Sequence, residues 1–281
     1  MTASDLASLL DRLAAHDGWR RPDAFLERAD LADRLDLLLP GDVASAEVAR
    51  AAPFLAAMEA SDARLFQRLR EAIRAGRGAQ ALAPWLRSAV SGGQHYDALD
   101  ALLAGVLAID EPVADDPVPP PGMVFYQPTP ARHIVECVRR AGIGRDDVVL
   151  DLGSGLGHVP MLVNILTGAR TRGVEREPAY VESAMRAADA LGLRGVSFLC
   201  ADARDASLDD VDVVYLFTPF IGGVLADVLV SLERAARARP LRIATLGPCS
   251  ATFARQAWLR ADGATSPDRV AVFRSVSGDP D

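Results

Sequence analysis

The stretch Asp151 to Pro160, DLGSGLGHVP, follows the apolar run Val148-Val149-Leu150 and puts glycine at 153, 155 and 157. Glycines spaced this way behind a strand let a ligand approach the backbone, because no Cβ stands in its path. The spacing is GxGxG; a dinucleotide fingerprint is GxGxxG, and its last position is His158 here. Asp151 falls at the tip of the strand, two residues before the first glycine. A carboxylate there suits a cationic or amino group and repels a pyrophosphate.

The pattern around this turn alternates. VVLDL (148–152), TRGVE, VSFLC, VDVVYLF (211–217) and LRIATLG read as strands, separated by the helical stretches GHVPMLVNILTG, PAYVESAMRAADALGL and the one around VLADVLVSLERAARA. Such alternation gives parallel βαβ units in a doubly wound sheet. QAWLRAD and VAVFRSV flank DGATSPD, which predicts a hairpin at one edge. The expected fold is therefore α/β, a doubly wound, seven-stranded, mostly parallel sheet with a C-terminal antiparallel hairpin. In such sheets the ligand lies beyond the carboxyl ends of the strands, beside the first strand-to-helix turn.

Residues 4–107 are helical in pattern throughout. LASLLDRLAAH, AFLERADLADRLDLLL, VARAAPFLAAMEA, ARLFQRLREAIRA, ALAPWLRSAV and YDALDALLAGVLA repeat apolar residues at three- and four-residue spacing, with breaks at Pro40-Gly41, Gly76-Arg77-Gly78 and Gly92-Gly93. This predicts an all-helical N-terminal domain of about six helices, with no repeat of roughly 20 to 50 residues to make it an array. Residues 111–130 hold seven prolines and read as a stiff linker. The expected division is a helical domain (1–110), the linker (111–130) and the α/β domain (131–281). The linker ends in GMVFYQPTP, aromatic just before a new helix, ARHIVECVRRAGI, and so should lie close to the α/β domain.

Composition excludes several chemistries. All 30 basic residues are arginine, which rules out Schiff-base lysines, P-loop lysines and Tyr-xxx-Lys hydride-transfer dyads, and points to a GC-rich bacterium. Cys137, Cys200 and Cys249 lie far apart without a CxxC pair, so they read as buried small hydrophobes. No apolar run reaches the roughly 20 residues of a membrane span. MTASDLASLLDRL at the start carries acids and no basic leader, so the cytoplasm is the expected compartment. Residues 1–121 carry about −7 of the net charge of −8. Such a surface repels phosphate backbones, which favours a basic or neutral small molecule over nucleic acid.

Two more acids lie where a nucleoside needs them. Glu175 ends the second strand, placed to accept from both ribose hydroxyls, a device that NAD enzymes share. Asp202, after the third strand, could accept from an adenine amino group, with the backbone of Ala203 beside it.

VVLDLGSGLGHVP, RGVEREPAYVESA and FLCADARD resemble the first three sequence motifs of class I S-adenosylmethionine-dependent methyltransferases. The resemblance covers about residues 124–276 and none of the helical part. It implies S-adenosyl-L-methionine as cofactor and S-adenosyl-L-homocysteine as product, with Asp151 and Gly153, Gly155 and Gly157 holding the methionine part, Glu175 the ribose and Asp202 the adenine. YQPTPARHIVECV ahead of the turn is also similar to lysine methyltransferases of this fold that act on histones, where the preceding segment closes over the cofactor; Tyr126 and Thr129 are then cofactor contacts.

Transfer of an activated methyl relies mostly on alignment, with a general base adding to it where the nucleophile starts protonated. Tyr126, His158 and Thr218 are the candidates for contact with the reacting groups, and Phe220 is either a pocket wall or core. Thr218, Pro219 and Phe220 keep part of the Asn/Asp-Pro-Pro-Tyr/Phe shape of amine methyltransferases without its amide, which leaves the acceptor atom open. FTPF and GPCS offer no carboxylates after the fourth and fifth strands, so no metal is expected. His16, His95 and His133 read as surface or interhelical residues. Three other readings stay open: nicotianamine-synthase-like transfer of an aminobutanoyl group, a non-enzymatic adenosylmethionine-binding module, and a dehydrogenase, which the missing lysine and Asp151 disfavour.

Overall fold

The helical pattern of the first hundred residues forms α1 (Ala3–Ala15), α2 (Phe25–Leu38), α3 (Ser45–Arg74), α4 (Gly78–Leu86) and α5 (Ala98–Leu107). A computed structural model describes residues 3–39, 45–86, 96–112 and 121–276. The breaks expected at Pro40-Gly41 and Gly92-Gly93 and the tail of the ALAPWLRSAV helix lie outside the described residues. Two stretches expected as separate helices, VARAAPFLAAMEA and ARLFQRLREAIRA, are one helix, α3, of 30 residues. Ser61, between them, does not break it, because its hydroxyl donates to the Ala57 carbonyl one turn back, 2.8 Å away. Asp62, its neighbour, has a partner across the bundle in Arg28, whose fully buried guanidinium lies 2.6 Å from the carboxylate. Arg28 also donates to the carbonyls of Trp19 and Arg21. This buried charge is thus paired, as burial requires.

After a turn at residues 121–122 the chain forms a strap up to Pro130, then α6 (Ala131–Ala141). The sheet comprises β1 (Val148–Leu152), β2 (Arg170–Glu175), β3 (Val196–Cys200), β4 (Val213–Phe217), β5 (Arg242–Leu246), β6 (Leu259–Ala261) and β7 (Ala271–Ser275). Their order is β3-β2-β1-β4-β5-β7-β6, parallel through β5 and antiparallel at β7, which is the expected sheet with its edge hairpin. Every residue of β1 is buried, as a central strand covered on both faces demands. The crossovers are α7 (His158–Thr167), α8 (Pro178–Ala190) and α9 (Gly222–Ala238). A short helix, α10 (Ser250–Phe253), comes after β5; four residues are too few for a periodic signal in sequence.

One apolar core lies between the sheet and the preceding helices, running from Leu65, Leu69 and Leu102 through Leu162 to Tyr215 and Val272. The other face of the sheet packs Leu150, Val214 and Phe273 against Leu229 and Leu232 of α9. Polar ties hold the helices to the start of α6: the Ala131 N–H donates to Asp100 at 2.7 Å, and the Tyr96 hydroxyl donates to the Pro128 carbonyl at 2.6 Å. The helices therefore fix the strap at its far end.

Its near end is fixed by the sheet. Met123 forms an antiparallel bridge with Phe220, the Val124 N–H donates to the Pro219 carbonyl at 3.2 Å, and the Ile221 N–H donates to the Gly122 carbonyl at 2.8 Å. The strap thus crosses the carboxyl end of β4, beside the place where the glycine turn begins.

Candidate cofactor site

The carboxyl ends of β1, β2 and β4 and the strap enclose a cleft of about 690 Å³, within the range of small-molecule sites. Asp151, 3% exposed, lies in its wall. On β1 it pairs laterally with Gly173 of β2 and Tyr215 of β4. No hydrogen-bond donor among the described residues reaches its carboxylate, and burial, helped by the nearby Glu175, pushes its pKa well above the ordinary carboxylate range. An isolated buried carboxylate is costly unless something cationic joins it.

The glycine turn is fastened to β2, with the Gly153 and Ser154 N–H groups both donating to the Val174 carbonyl, at 2.8 and 3.0 Å. Gly155 takes φ +51°, and a Cβ on it would stand 2.1 Å from the Tyr126 ring. A Cβ on Gly153 would meet Pro219 at 2.2 Å. Gly157 stands at the start of α7 with φ +80°. Gly155 and Gly153 thus admit the strap and the turn after β4 as close neighbours, and Gly157 admits the Phe198 ring of β3, which a Cβ would meet at 2.5 Å, roles that the spacing alone did not reveal.

Glu175 lines the cleft, and its carboxylate accepts from the backbone N–H groups of Gly155, Arg176 and Glu177 at 2.9, 2.7 and 2.9 Å. A carboxylate offers about four acceptor sites, so room remains for a ligand hydroxyl. Asp202 and Ala203 are not among the residues lining the cleft. The carboxylate of Asp202 accepts from its neighbour Arg204 at 3.0 and 2.8 Å, and this pairing holds its pKa down at about 2.

Thr129 and Tyr126 both line the cleft. The Thr129 hydroxyl lies 3.2 Å from the buried hydroxyl of Tyr215. The Tyr126 hydroxyl is 3.3 Å from His158 Nδ1, and its ring tilts against Tyr180 with centroids 5.1 Å apart. Burial raises the Tyr126 pKa, and it pushes His158 down to about 4. His158 is therefore neutral near pH 7. Tyr180, two residues into α8, went unmarked in sequence, where it reads as an ordinary helix residue.

Thr218 lines the cleft at φ +38°, an unusual conformation for a β-branched residue. Its hydroxyl donates to the Leu246 carbonyl at 2.9 Å and accepts from the Cys249 N–H at 3.1 Å. Phe220 is core, 1% exposed, while Phe217, Pro219 and Ile221 line the cleft. His133 is buried on α6 and His16 is exposed; neither lines the cleft, and His95 lies outside the described residues. Cys137 and Cys249 are buried as expected, the former with its thiol pushed up to about 12 by burial. Cys200 is exposed, against expectation, because β3 is an edge strand whose last two residues, Leu199 and Cys200, are both open to solvent, one on each face. Among the described residues no group of three or more His, Cys, Asp or Glu side chains is arranged to hold a metal ion.

No protein-family model matches the sequence, and no curated protein does. Solved structures do align with it. An RNA methyltransferase from Salinibacter ruber in complex with S-adenosyl-L-homocysteine is 23% identical, covers 55% of this chain and 97% of its own, and gives a TM-score of 0.45. Precorrin-6y C5,15-methyltransferase from Geobacter metallireducens is 17% identical, covers 57% and 95%, and scores 0.44. An S-adenosylmethionine-dependent methyltransferase from Aquifex aeolicus is 18% identical, covers 50% and 88%, and scores 0.42. Likeness at this level leaves the chemistry open. With its strand order β3-β2-β1-β4-β5-β7-β6, its glycine turn after β1 and its antiparallel β7, the α/β part of the chain is a doubly wound, Rossmann-like sheet, as the resemblance in sequence led one to expect.

Proposed function

We propose that the chain binds S-adenosyl-L-methionine in this cleft and transfers its methyl group to a small-molecule acceptor without a metal ion, in a bacterial cytoplasm. The observation that carries the reading is Asp151, a buried carboxylate with no donor among the described residues, beside a turn that leaves no room for side chains. A ligand bearing both cationic groups and a nucleoside answers that arrangement, and a dinucleotide pyrophosphate does not. Glu175 would receive the ribose hydroxyls, and Thr129 and Tyr126 would border the ligand from the strap. Asp202 and Ala203, off the cleft wall, would reach an adenine only after Asp202 parts from Arg204.

When bound, S-adenosylmethionine supplies a sulfonium methyl: the lone pair of the acceptor forms the new bond to carbon, the S–CH3 electrons return to sulfur, and S-adenosylhomocysteine leaves. The protein's part is alignment, exclusion of water and stabilisation of charge. The strap, held by β4 on one side and by Asp100 and Tyr96 on the other, covers the cleft; residues 1–110 act as its support. His158, neutral and hydrogen-bonded to Tyr126, positions that strap more readily than it accepts a proton.

Product analysis with the purified chain and a panel of acceptors tests the reaction. S-adenosylhomocysteine is the expected product. Methylthioadenosine would instead mean aminobutanoyl transfer, and binding without turnover on any acceptor would mean a binding module.

A further inference from the structure

The cleft is charged at one end and bare of charge at the other. Its β1 and β2 side carries Asp151, Glu175, Arg176 and Glu177. Its β4 side is built from Val124, Phe125, Phe217, Pro219, Ile221 and Pro248, with Thr218 and the buried Tyr215, whose hydroxyl lies 3.2 Å from that of Thr129, as the polar residues of β4 there. Phe125, Ile221 and Val124 remain 68%, 52% and 43% exposed. Single exposed apolar side chains are ordinary, but these three line one and the same cleft. They are brought together by the pairing of strap and β4 turn, through the Met123–Phe220 bridge and its two flanking hydrogen bonds.

Polar groups at this end are already engaged. The Thr218 hydroxyl is held by Leu246 and Cys249, and the Pro219 carbonyl accepts from Val124. A charged acceptor would lose water here and meet no opposite charge. A nucleic acid would bring a row of phosphates to a cleft whose wall holds one arginine, Arg176, flanked by Glu175 and Glu177.

Resting on the assignment of the charged end to S-adenosylmethionine, we infer that the β4 end is the acceptor subsite and that it takes an uncharged, largely apolar small molecule. The strap residues Val124 and Phe125 and the β4-turn residue Ile221 form its walls and set its preference. Selection is by desolvation: an apolar molecule covers these side chains, whereas an ion of the same shape leaves its charge unpaired.

The test uses the whole chain saturated with S-adenosylhomocysteine, whose own binding is measured first by calorimetry. Naphthalene, 1-naphthoate, 1-naphthylmethylammonium and a short RNA oligonucleotide are then titrated by ligand-observed NMR. Naphthalene is expected to bind about tenfold or more tighter than either ion, and the RNA not at all. Ile221→Asp should weaken naphthalene by about tenfold, Ile221→Leu should leave it unchanged, and both variants should bind S-adenosylhomocysteine like the parent. Equal affinity for an ion, binding of the RNA, or indifference to Ile221→Asp overturns the acceptor assignment while leaving the cofactor reading in place. Failure of S-adenosylhomocysteine to bind overturns the cofactor reading, and the acceptor assignment with it.

Discussion

Glu175 at the end of β2 accepts a hydrogen bond from the Gly155 N–H, 2.9 Å away, and so ties the glycine turn of β1 to the neighbouring strand. The same carboxylate, expected to receive ribose hydroxyls, is thus also part of the frame. Replacing it by glutamine keeps the size but turns an NH2 toward backbone donors. Glu175→Gln should lose about tenfold or more in affinity for S-adenosylhomocysteine and about 1 to 3 kcal/mol in stability. Chemical denaturation beside calorimetry reads both; an unchanged stability would mean that the turn holds without this bond.

Gly155 meets two demands at once, a positive φ and contact with the Tyr126 ring. Gly155→Ala should therefore destabilise the chain by roughly 1 to 3 kcal/mol. Tyr126→Ala opens the space but leaves the backbone conformation, so a double-mutant cycle should recover only part of that loss. Full recovery would place the whole cost on the ring, and none would place it on the backbone.

His158 gives stability a pH dependence whose direction comes from its depressed pKa. The unfolded chain takes up a proton at this histidine near pH 6.5, and the folded chain does so only near pH 4. As pH falls through that window the unfolded state binds more protons, so stability drops, and above it the histidine costs nothing. His158→Gln should flatten the urea-midpoint profile between these limits by an amount on the order of 2 kcal/mol. An unaltered profile would show that the imidazole is solvated.

Thr218 is a candidate for the chemistry by its place in sequence, and its hydroxyl instead joins the ends of β4 and β5 through Leu246 and Cys249. Thr218→Val leaves a buried N–H and a buried carbonyl unpaired and should cost about 1 to 3 kcal/mol. Thr218→Ser, which keeps both bonds and relieves the crowded Cβ at positive φ, should be near neutral. If Thr218→Val abolished turnover at unchanged stability, the hydroxyl would belong to the reaction after all.

The sheet was legible because parallel strands buried on both faces appear as short apolar runs, and β1, β2 and β4 each end in the residue that lines the cleft or lies near it. Helix periodicity also survived, but Ser61-Asp62 could not announce that α3 runs through them, since the Ala57 carbonyl and Arg28 that satisfy them lie a turn away and across the bundle. Asp151 was legible from its offset to the glycines. The partnership of Asp202 with Arg204 spans two residues and is local enough to be visible in sequence, yet the resemblance directs Asp202 to an adenine instead. The strap's grip on β4 and the Tyr126–Tyr180 contact join residues about 50 to 100 positions apart, which no local pattern encodes.

Asp151 carries the central claim, and Asp151→Asn tests it most directly. Its raised pKa means that the folded chain holds a proton more tightly than the unfolded chain, so this residue's contribution to stability is present at low pH and lost as pH rises. Asparagine removes that loss, and the ligand-free variant should be as stable as the parent or more so near pH 7. Calorimetry with S-adenosylmethionine should then show an affinity lowered about a hundredfold in the variant. In the parent, binding should release a proton, seen as a heat that changes with the ionisation enthalpy of the buffer. Equal affinity in the two proteins, or no binding in the parent, would contradict the account.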